Sequence, residues 1–182
     1  MDPKDRSGSC SDSELITLSE ADWDSLKSKV NKFLKTKKFG LGYPLTIPMI
    51  RTAMKNLKKD ITLNESNKFN LLLYAKFLTH YGSIYGQGYA LIGPILRRSK
   101  IKETCLEQKR VENCYEEFLD ESKIKYYWFI AEEPEGGAYY FDFTERGKGR
   151  IYYISYNGRS RFFTENFLTF LDLLYEDYAY HK

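Results

Sequence analysis

The densest hydrophobic pattern in the chain lies between residues 125 and 174, where three aromatic runs precede an amphipathic segment. The runs are Tyr126–Ile130, Ala138–Phe143 and Ile151–Tyr156, and turn-forming clusters that contain Gly separate them. Aromatic and β-branched residues bounded by such clusters predict antiparallel strands. We therefore expect this stretch to form the sheet around which the remaining elements pack.

Helical periodicity dominates the region before these strands. Ser19 and Asp22 have capping-box spacing, which predicts a first helix that begins after Ser19. Pro48 suits the first residue of a second helix, because its missing N–H is not needed there. Asn64 suits the cap of a third helix, and Gly82 suits its end.

Three more elements complete the predicted order. A strand is expected over Gln87–Ile92, a helix over Cys105–Asp120, and a last helix that begins at Thr164 or Glu165. Helices followed by an antiparallel meander and a closing helix predict an α+β fold. We expect a bent, mainly antiparallel sheet of about four to six strands, with the helices packed on one side and a C-terminal helix closing the domain.

Composition places the chain among ordinary globular proteins. Hydrophobic residues make up 42% of its 182 residues and charged residues 29%. Residues 1–17 are polar and rich in Ser and Asp, which predicts a disordered tail before a single domain over 18–182. The three cysteines form no paired motif and fit a reducing compartment. Neither a leader pattern nor a long apolar run occurs, so we expect a cytoplasmic protein, or a nuclear one if the source is a eukaryote, and no membrane partner.

Charge is distributed unevenly, although the formal net charge is only +3. Ten Lys and Arg residues and no acid lie between Asp24 and Asp60. Acids concentrate later, including a loop that contains Glu132, Glu133 and Glu135. This distribution predicts a basic end and an acidic end. A solvated helix face is the simplest interpretation of the basic run, and nucleic-acid binding through Lys27–Lys59 is the alternative.

The sequence offers little catalytic chemistry. Its two histidines are His80, on an apolar helix face near a predicted helix end, and His181. A histidine at a helix end is favoured by the helix dipole, so His80 is not assigned as a base. Glu132 and Glu133 lie in a turn, where solvated carboxylates are expected. Zinc-binding, phosphate-loop and nucleophile-elbow motifs are absent from the sequence. No catalytic, cofactor or metal residues are assigned, and we do not expect an enzyme.

The order of several short motifs resembles the SUKH superfamily of Smi/Knr-like proteins. The similarity extends from Pro48 to Tyr178, and the matching stretches are Lys76–Gly82, Gly86–Gly93, Gly136–Asp142, Gly149–Tyr152 and Asn166–Leu171. Two positions depart from the family pattern. Ile61–Asn64 replaces the usual Leu-Pro connector, and Ala138 stands where an acidic residue is usual.

The resemblance implies a non-catalytic binding protein. Many bacterial members of the superfamily are immunity proteins that bind and neutralise a cognate toxin, often a nuclease. Fungal members act as signalling and cell-wall scaffolds, and some viruses encode relatives. We therefore expect a protein partner, either a toxin or, as the alternative, a signalling protein of a eukaryote or virus.

The expected partner-binding surface combines sheet tyrosines with the acidic loop. A rigid sheet with aromatic side chains and charged loops suits recognition of a protein, because charged loops steer the partner. The candidate residues are Tyr126, Tyr139, Tyr140 and Tyr152 together with Glu132, Glu133 and Glu135.

Overall fold

The computed structural model describes the backbone of residues 18–61, 65–86, 89–93, 101–133 and 135–180. The helices in these ranges are α1 (Glu20–Lys35), α2 (Ile47–Asn56), α3 (Glu65–Tyr81), α4 (Ile101–Tyr115) and α5 (Phe167–Tyr180). The strands are β1 (Phe39–Leu41), β2 (Ile84–Gly86), β3 (Tyr89–Ile92), β4 (Tyr127–Glu132), β5 (Ala138–Asp142), β6 (Arg150–Ile154) and β7 (Ser160–Thr164). The predicted tail over 1–17, the Asn64 cap, residues 87–88 of the predicted strand and His181 lie outside the described residues.

Local signals set the ends of the first helices. The Ser19 hydroxyl oxygen accepts a hydrogen bond from the Asp22 N–H at 3.1 Å, which confirms the predicted cap of α1. Thr46 caps α2, which begins at Ile47, so Pro48 is the second residue of the helix rather than the predicted first. Gly82 follows the end of α3 with a φ angle of 67°, in the left-handed region that glycine adopts readily.

Within the described ranges, the strand pairings are all antiparallel and form two sheets, a three-stranded one in the order β1-β2-β3 and a four-stranded one in the order β4-β5-β6-β7. The Gly93 N–H donates a hydrogen bond of 2.6 Å to the Ile130 carbonyl and so links the two sheets. The α+β class, the antiparallel sheet and the closing helix are thus confirmed. The sequence did not predict β1, β2 or β7, and α5 begins at Phe167 rather than at Thr164 or Glu165.

Apolar side chains cover both faces of the four-stranded sheet. On the first face the helices α1, α2, α3 and α5 form the main core with the strand residues Trp128, Ile130, Tyr139, Phe141 and Ile151. On the second face α4 and the turn after it form a smaller core in which Val111, Tyr115 and Leu119 meet Tyr127, Phe129, Ala138, Tyr140 and Ile154. Four helices thus lie on one side as expected, and α4 lies on the other because β4 and β5 are apolar on both faces.

A side-chain amide closes the outer edge of the four-stranded sheet next to α4. The Gln108 Nε2 donates a hydrogen bond to the Phe129 carbonyl, and the Phe129 N–H donates back to Gln108 Oε1 at 3.2 Å. Gln108 is 4% exposed, so both bonds are buried. The amide thereby provides β4 with the donor and acceptor that a neighbouring strand would offer.

Candidate functional site

Four aromatic rings form a row across the second face of the four-stranded sheet. The row consists of Tyr127, Tyr140, Tyr152 and Phe162, one residue from each of β4, β5, β6 and β7. Successive ring centroids are 4.9, 6.0 and 6.0 Å apart. Such cross-strand aromatic contacts stabilise neighbouring strands and hold the rings in fixed positions.

The aromatic row is buried at its β4 and β5 positions and exposed at its β7 end. Tyr127 and Tyr140 are 8% and 4% exposed beneath α4, Tyr152 is half-buried, and Phe162 is 47% exposed. The Tyr140 and Ser160 hydroxyls share a hydrogen bond of 2.7 Å, which ties the covered part of the row to the start of β7. The row is therefore anchored in the core at one end and open to solvent at the other.

Arg150 stacks on the open end of the aromatic row. Its guanidinium carbon lies 5.7 Å from the centroid of the Phe162 ring, within cation–π range. The Arg150 Nε donates to the Gly147 carbonyl at 3.0 Å, and Nη2 donates to the Arg146 carbonyl at 2.8 Å. Glu165 lies 3.9 Å from Nη1. Because these contacts orient the guanidinium before any partner arrives, Arg150 and Phe162 form a pre-arranged aromatic and cationic pair.

The hairpin formed by β6 and β7 is strongly basic. Five cations and no acid lie between residues 146 and 164, namely Arg146, Lys148, Arg150, Arg159 and Arg161. Four of these side chains are exposed, and Arg150 is half-buried. The predicted basic surface was Lys27–Lys59, although this acid-free run among aromatic residues is also visible in the sequence.

Two more exposed rings lie near the turns at one end of the sheet. Tyr156, in the turn between β6 and β7, is 74% exposed, and Phe118, after α4, is 48% exposed. A Cβ atom on Gly158 would lie 2.2 Å from the Phe118 ring, so this ring packs directly on the turn. The Tyr115 hydroxyl donates to the Gly136 carbonyl at 3.0 Å and joins α4 to the neighbouring turn. We call Phe118, Tyr156 and the open end of the aromatic row the exposed aromatic surface.

Glu133, one of the predicted partner-binding residues, has an internal role. The Tyr139 hydroxyl donates to one oxygen of its carboxylate, and the Tyr153 hydroxyl donates to the other at 2.9 Å. Burial raises the pKa of Tyr139, and the bond to Glu133 raises it further. The same two causes raise the pKa of Tyr153 to about 12. The carboxylate thus holds the β4–β5 turn against β5 and β6.

The remaining predicted residues are dispersed. Glu132 pairs with Arg110 on α4, while Glu135 is exposed at the turn. Tyr126 is half-buried in the turn just before β4, where the Lys125 ammonium lies 4.8 Å from its ring centroid. The structure therefore does not join Tyr126 to the acidic turn or to the aromatic row.

Tyr139 and Tyr140 are both 4% exposed, contrary to the expectation that they form part of a contact surface. Tyr139 packs against Phe170 of α5 on the first face, and Tyr140 packs against Phe129 beneath α4 on the second. Tyr152 retains partial exposure beside Phe162. The predicted residues Tyr140 and Tyr152 thus lie in the middle of the aromatic row, whereas the exposed rings Phe162, Tyr156 and Phe118 were not predicted as contact residues.

Several lysines of the proposed nucleic-acid face are engaged within the protein. Lys29 and Lys32 both bind the carboxylate of Asp172 on α5, and Lys27 lies 2.6 Å from Asp24. Lys59 is buried, with 2% of its side chain exposed. These contacts favour an ordinary helix surface in which part of the basic charge fastens α1 to α5.

His80 lies at the end of α3, as its predicted structural role requires. Its Nδ1 is 3.0 Å from the Lys76 carbonyl, and its ring centroid is 4.4 Å from that of Trp23. Within the ranges that the structure describes, no three His, Cys, Asp or Glu side chains are grouped as a metal site would require. Among those same residues, no helix has the length and apolar content needed to cross a membrane.

Comparison of the chain with protein-family models and with curated proteins finds no match.

Proposed function

We propose that this protein is a non-catalytic, cytoplasmic protein-binding domain of the immunity type found in the SUKH superfamily, and that it neutralises a cognate toxin. The observation that carries the proposal is the open end of the aromatic row, where Phe162 is 47% exposed beneath the stacked Arg150. Aromatic and Arg side chains on a rigid support are the residues most often central to protein interfaces. The antiparallel α+β architecture is in line with the resemblance to that superfamily.

The exposed rings belong to a surface of mixed charge. Its basic side consists of residues of the β6–β7 hairpin, and its acidic side consists of exposed acids in the segment after α4 and in the β4–β5 turn; the acids are Glu116, Glu117, Glu121 and Glu135. A surface with both signs of charge orients an approaching partner and rejects partners of the wrong pattern. A nuclease toxin would present its basic phosphate-binding site to the acidic side.

The test uses the product of the neighbouring gene. We expect that product to inhibit growth when expressed alone, and co-expression of this protein should restore growth. In calorimetric titrations, Phe162→Ala and Tyr156→Ala should each weaken binding by about tenfold or more, because truncation of a central aromatic anchor commonly costs at least about 2 kcal/mol. Tyr43→Ala is the matched control, since Tyr43 is 53% exposed in the loop after β1, away from this surface.

Two results would overturn the proposal. A neighbouring product that is harmless, or whose toxicity persists during co-expression, would remove the neutralising role and favour a regulatory or scaffold protein. Binding that is unchanged in Phe162→Ala and Tyr156→Ala but lost in Tyr43→Ala would show that the partner does not bind at the exposed aromatic surface.

A further inference from the structure

The two outer edges of the four-stranded sheet are covered differently. At β4, the Gln108 amide bonds both backbone groups of Phe129, and the Gly93 N–H bonds the Ile130 carbonyl. At β7, no strand in the described part of the chain pairs with the outer side. The residues Ser160, Arg161 and Phe162 are exposed there.

An antiparallel ladder leaves half of the polar backbone groups of an edge strand without a strand partner. Alternate residues direct their N–H and C=O groups to opposite sides of the strand. Because β7 pairs with β6 on one side, its other groups point away from the sheet. A row of such groups is a template for another extended chain.

We propose that β7 binds an extended segment of the partner protein as an added antiparallel strand. The segment carries an apolar or aromatic side chain opposite Phe162 and an acidic side chain opposite Arg161. This inference rests on the proposed protein-binding function and specifies where, and through which chemistry, the partner docks.

The aromatic row supports an apolar side chain of the added strand opposite Phe162. Its three ring contacts continue from strand to strand and end at Phe162, which has a ring neighbour only on the β6 side among the described residues. A strand added at the usual spacing of about 4.8 Å would place its own side chain within contact distance of that ring. The second face thus offers an apolar side chain of the added strand a place to be buried.

The positive charge at β7 supports an acidic side chain of the added strand opposite Arg161. The Arg161 guanidinium carbon lies 5.2 Å from the centroid of the Tyr153 ring on the opposite face of β7 from Phe162. With Arg159 it gives the exposed end of β7 two cations, and the hairpin from residue 146 to 164 contains no acid. An alternating acidic and apolar segment therefore matches both faces of β7.

The same arginines disfavour a second copy of this chain as the added strand. Antiparallel pairing of two β7 strands would place Arg159 and Arg161 of both copies in one short ladder. Like charges facing each other across strands are destabilising, and charged residues on edge strands commonly prevent self-pairing.

The first experiment measures binding of a synthetic peptide, acetyl-Gly-Glu-Val-Glu-Phe-Glu-Val-Glu-Gly-amide, to the whole protein at low salt. One control replaces every Glu by Lys. The other keeps all side chains but carries N-methyl groups on alternate residues, which removes the ladder donors. We expect each control to bind about tenfold more weakly or worse, as strand addition requires. Equal binding of the N-methylated peptide, or no binding of the acidic peptide, overturns the inference.

Variants locate the peptide on β7. Arg161→Glu should exchange the preference between the acidic and the basic peptide, and Phe162→Ala should weaken binding of the acidic one. Lys55→Glu, which changes an exposed cation on α2 outside the basic hairpin, should change the affinity by less than about threefold. Hydrogen exchange should show protection by the acidic peptide at β7 amides. Protection elsewhere, or concentration-dependent self-association through β7, contradicts the proposed occupant.

Failure of this inference is distinguishable from failure of the proposed function. If the neighbouring gene product binds and Arg161→Glu leaves its affinity unchanged, strand addition is wrong while the binding function stands. If the acidic peptide binds β7 but the neighbouring product does not bind, the edge is a docking site and the toxin-neutralising role is wrong.

Discussion

The ammonium of Lys59 and the carboxylate of Glu112 form an ion pair in which the two side chains are only 2% and 6% exposed. Lys59 follows α2, and Glu112 belongs to α4. The Lys59 ammonium also donates to the Ile124 carbonyl at 3.0 Å. Burial lowers the pKa of Lys59 against the opposing effect of Glu112. The pair therefore joins α4, which covers the second face, to the layer of helices that covers the first.

Removing one member of this pair should destabilise the fold strongly. Lys59→Met leaves the Glu112 carboxylate buried without its cation, and we expect the free energy of unfolding in urea to fall by about 3–5 kcal/mol. The double variant Lys59→Met/Glu112→Leu removes both charges and should be more stable than Lys59→Met alone. A double variant less stable than Lys59→Met would contradict a role for charge burial.

Alkaline pH should weaken the fold through its buried tyrosines. Burial raises the pKa of Tyr115 and of Tyr153 to about 12, against about 10 in the unfolded chain. Above about pH 10 the unfolded state therefore binds fewer protons than the native state, and the free energy of unfolding falls as pH rises towards about 12. The lowered pKa of Lys59 acts in the opposite direction, because it makes the free energy of unfolding rise with pH, but Lys59 is a single group.

Urea unfolding measured between about pH 10 and about pH 12 tests whether the free energy of unfolding falls as pH rises. Tyr153→Phe should reduce the decline, because it removes one of the groups whose pKa is raised in the native state. A free energy of unfolding that stays constant over the window would contradict the prediction.

Glu133→Ala should cost about 1–3 kcal/mol, because it removes the acceptor of the buried Tyr139 hydroxyl. Glu133→Gln keeps a carbonyl acceptor and should cost less. In a double-mutant cycle, Tyr139→Phe should cost less in the Glu133→Ala background than in the native protein. Strict additivity of the two changes would exclude the hydrogen bond as the cause.

Gly149→Ala should be one of the more damaging glycine substitutions. Gly149 has a φ angle of 72°, and an added Cβ would lie 2.8 Å from the Asn67 Cα, which is backbone and cannot rotate away. We expect a loss of about 2 kcal/mol or more in thermal or urea unfolding. Gly136→Ala is the matched control, since its φ is 91° but the nearest atom to its Cβ is 3.5 Å away. Equal losses in both would show that the backbone angle alone sets the cost.

The two ends of the aromatic row should respond differently to truncation. Tyr140→Ala removes a buried ring and leaves a cavity, so it should lower the free energy of unfolding by about 3–5 kcal/mol. Phe162→Ala, at the exposed end, should cost about 1 kcal/mol or less while weakening partner binding. A large stability loss in Phe162→Ala would make its ring a structural element rather than a contact.

Short-range sequence patterns were sufficient to predict the elements whose structure depends on neighbouring residues. Ser19 and Gly82 act through their own or adjacent backbone groups, so the caps of α1 and α3 were readable. The aromatic runs located β4, β5 and β6 within one or two residues. β7 was missed because Ser160–Thr164 contains only two apolar residues, and its strand conformation depends on pairing with β6.

The sequence by itself determined the order of the helices, the antiparallel meander and the closing helix, because each rests on contacts within a few residues. The tertiary structure alone decided which aromatic side chains are buried. Strand alternation places Tyr139 and Tyr140 on opposite faces, but it does not say that α5 and α4 cover those faces. That depends on contacts between distant residues, such as the pair formed by Lys59 and Glu112 across 53 positions, and these contacts leave Phe162 exposed at the edge of the sheet.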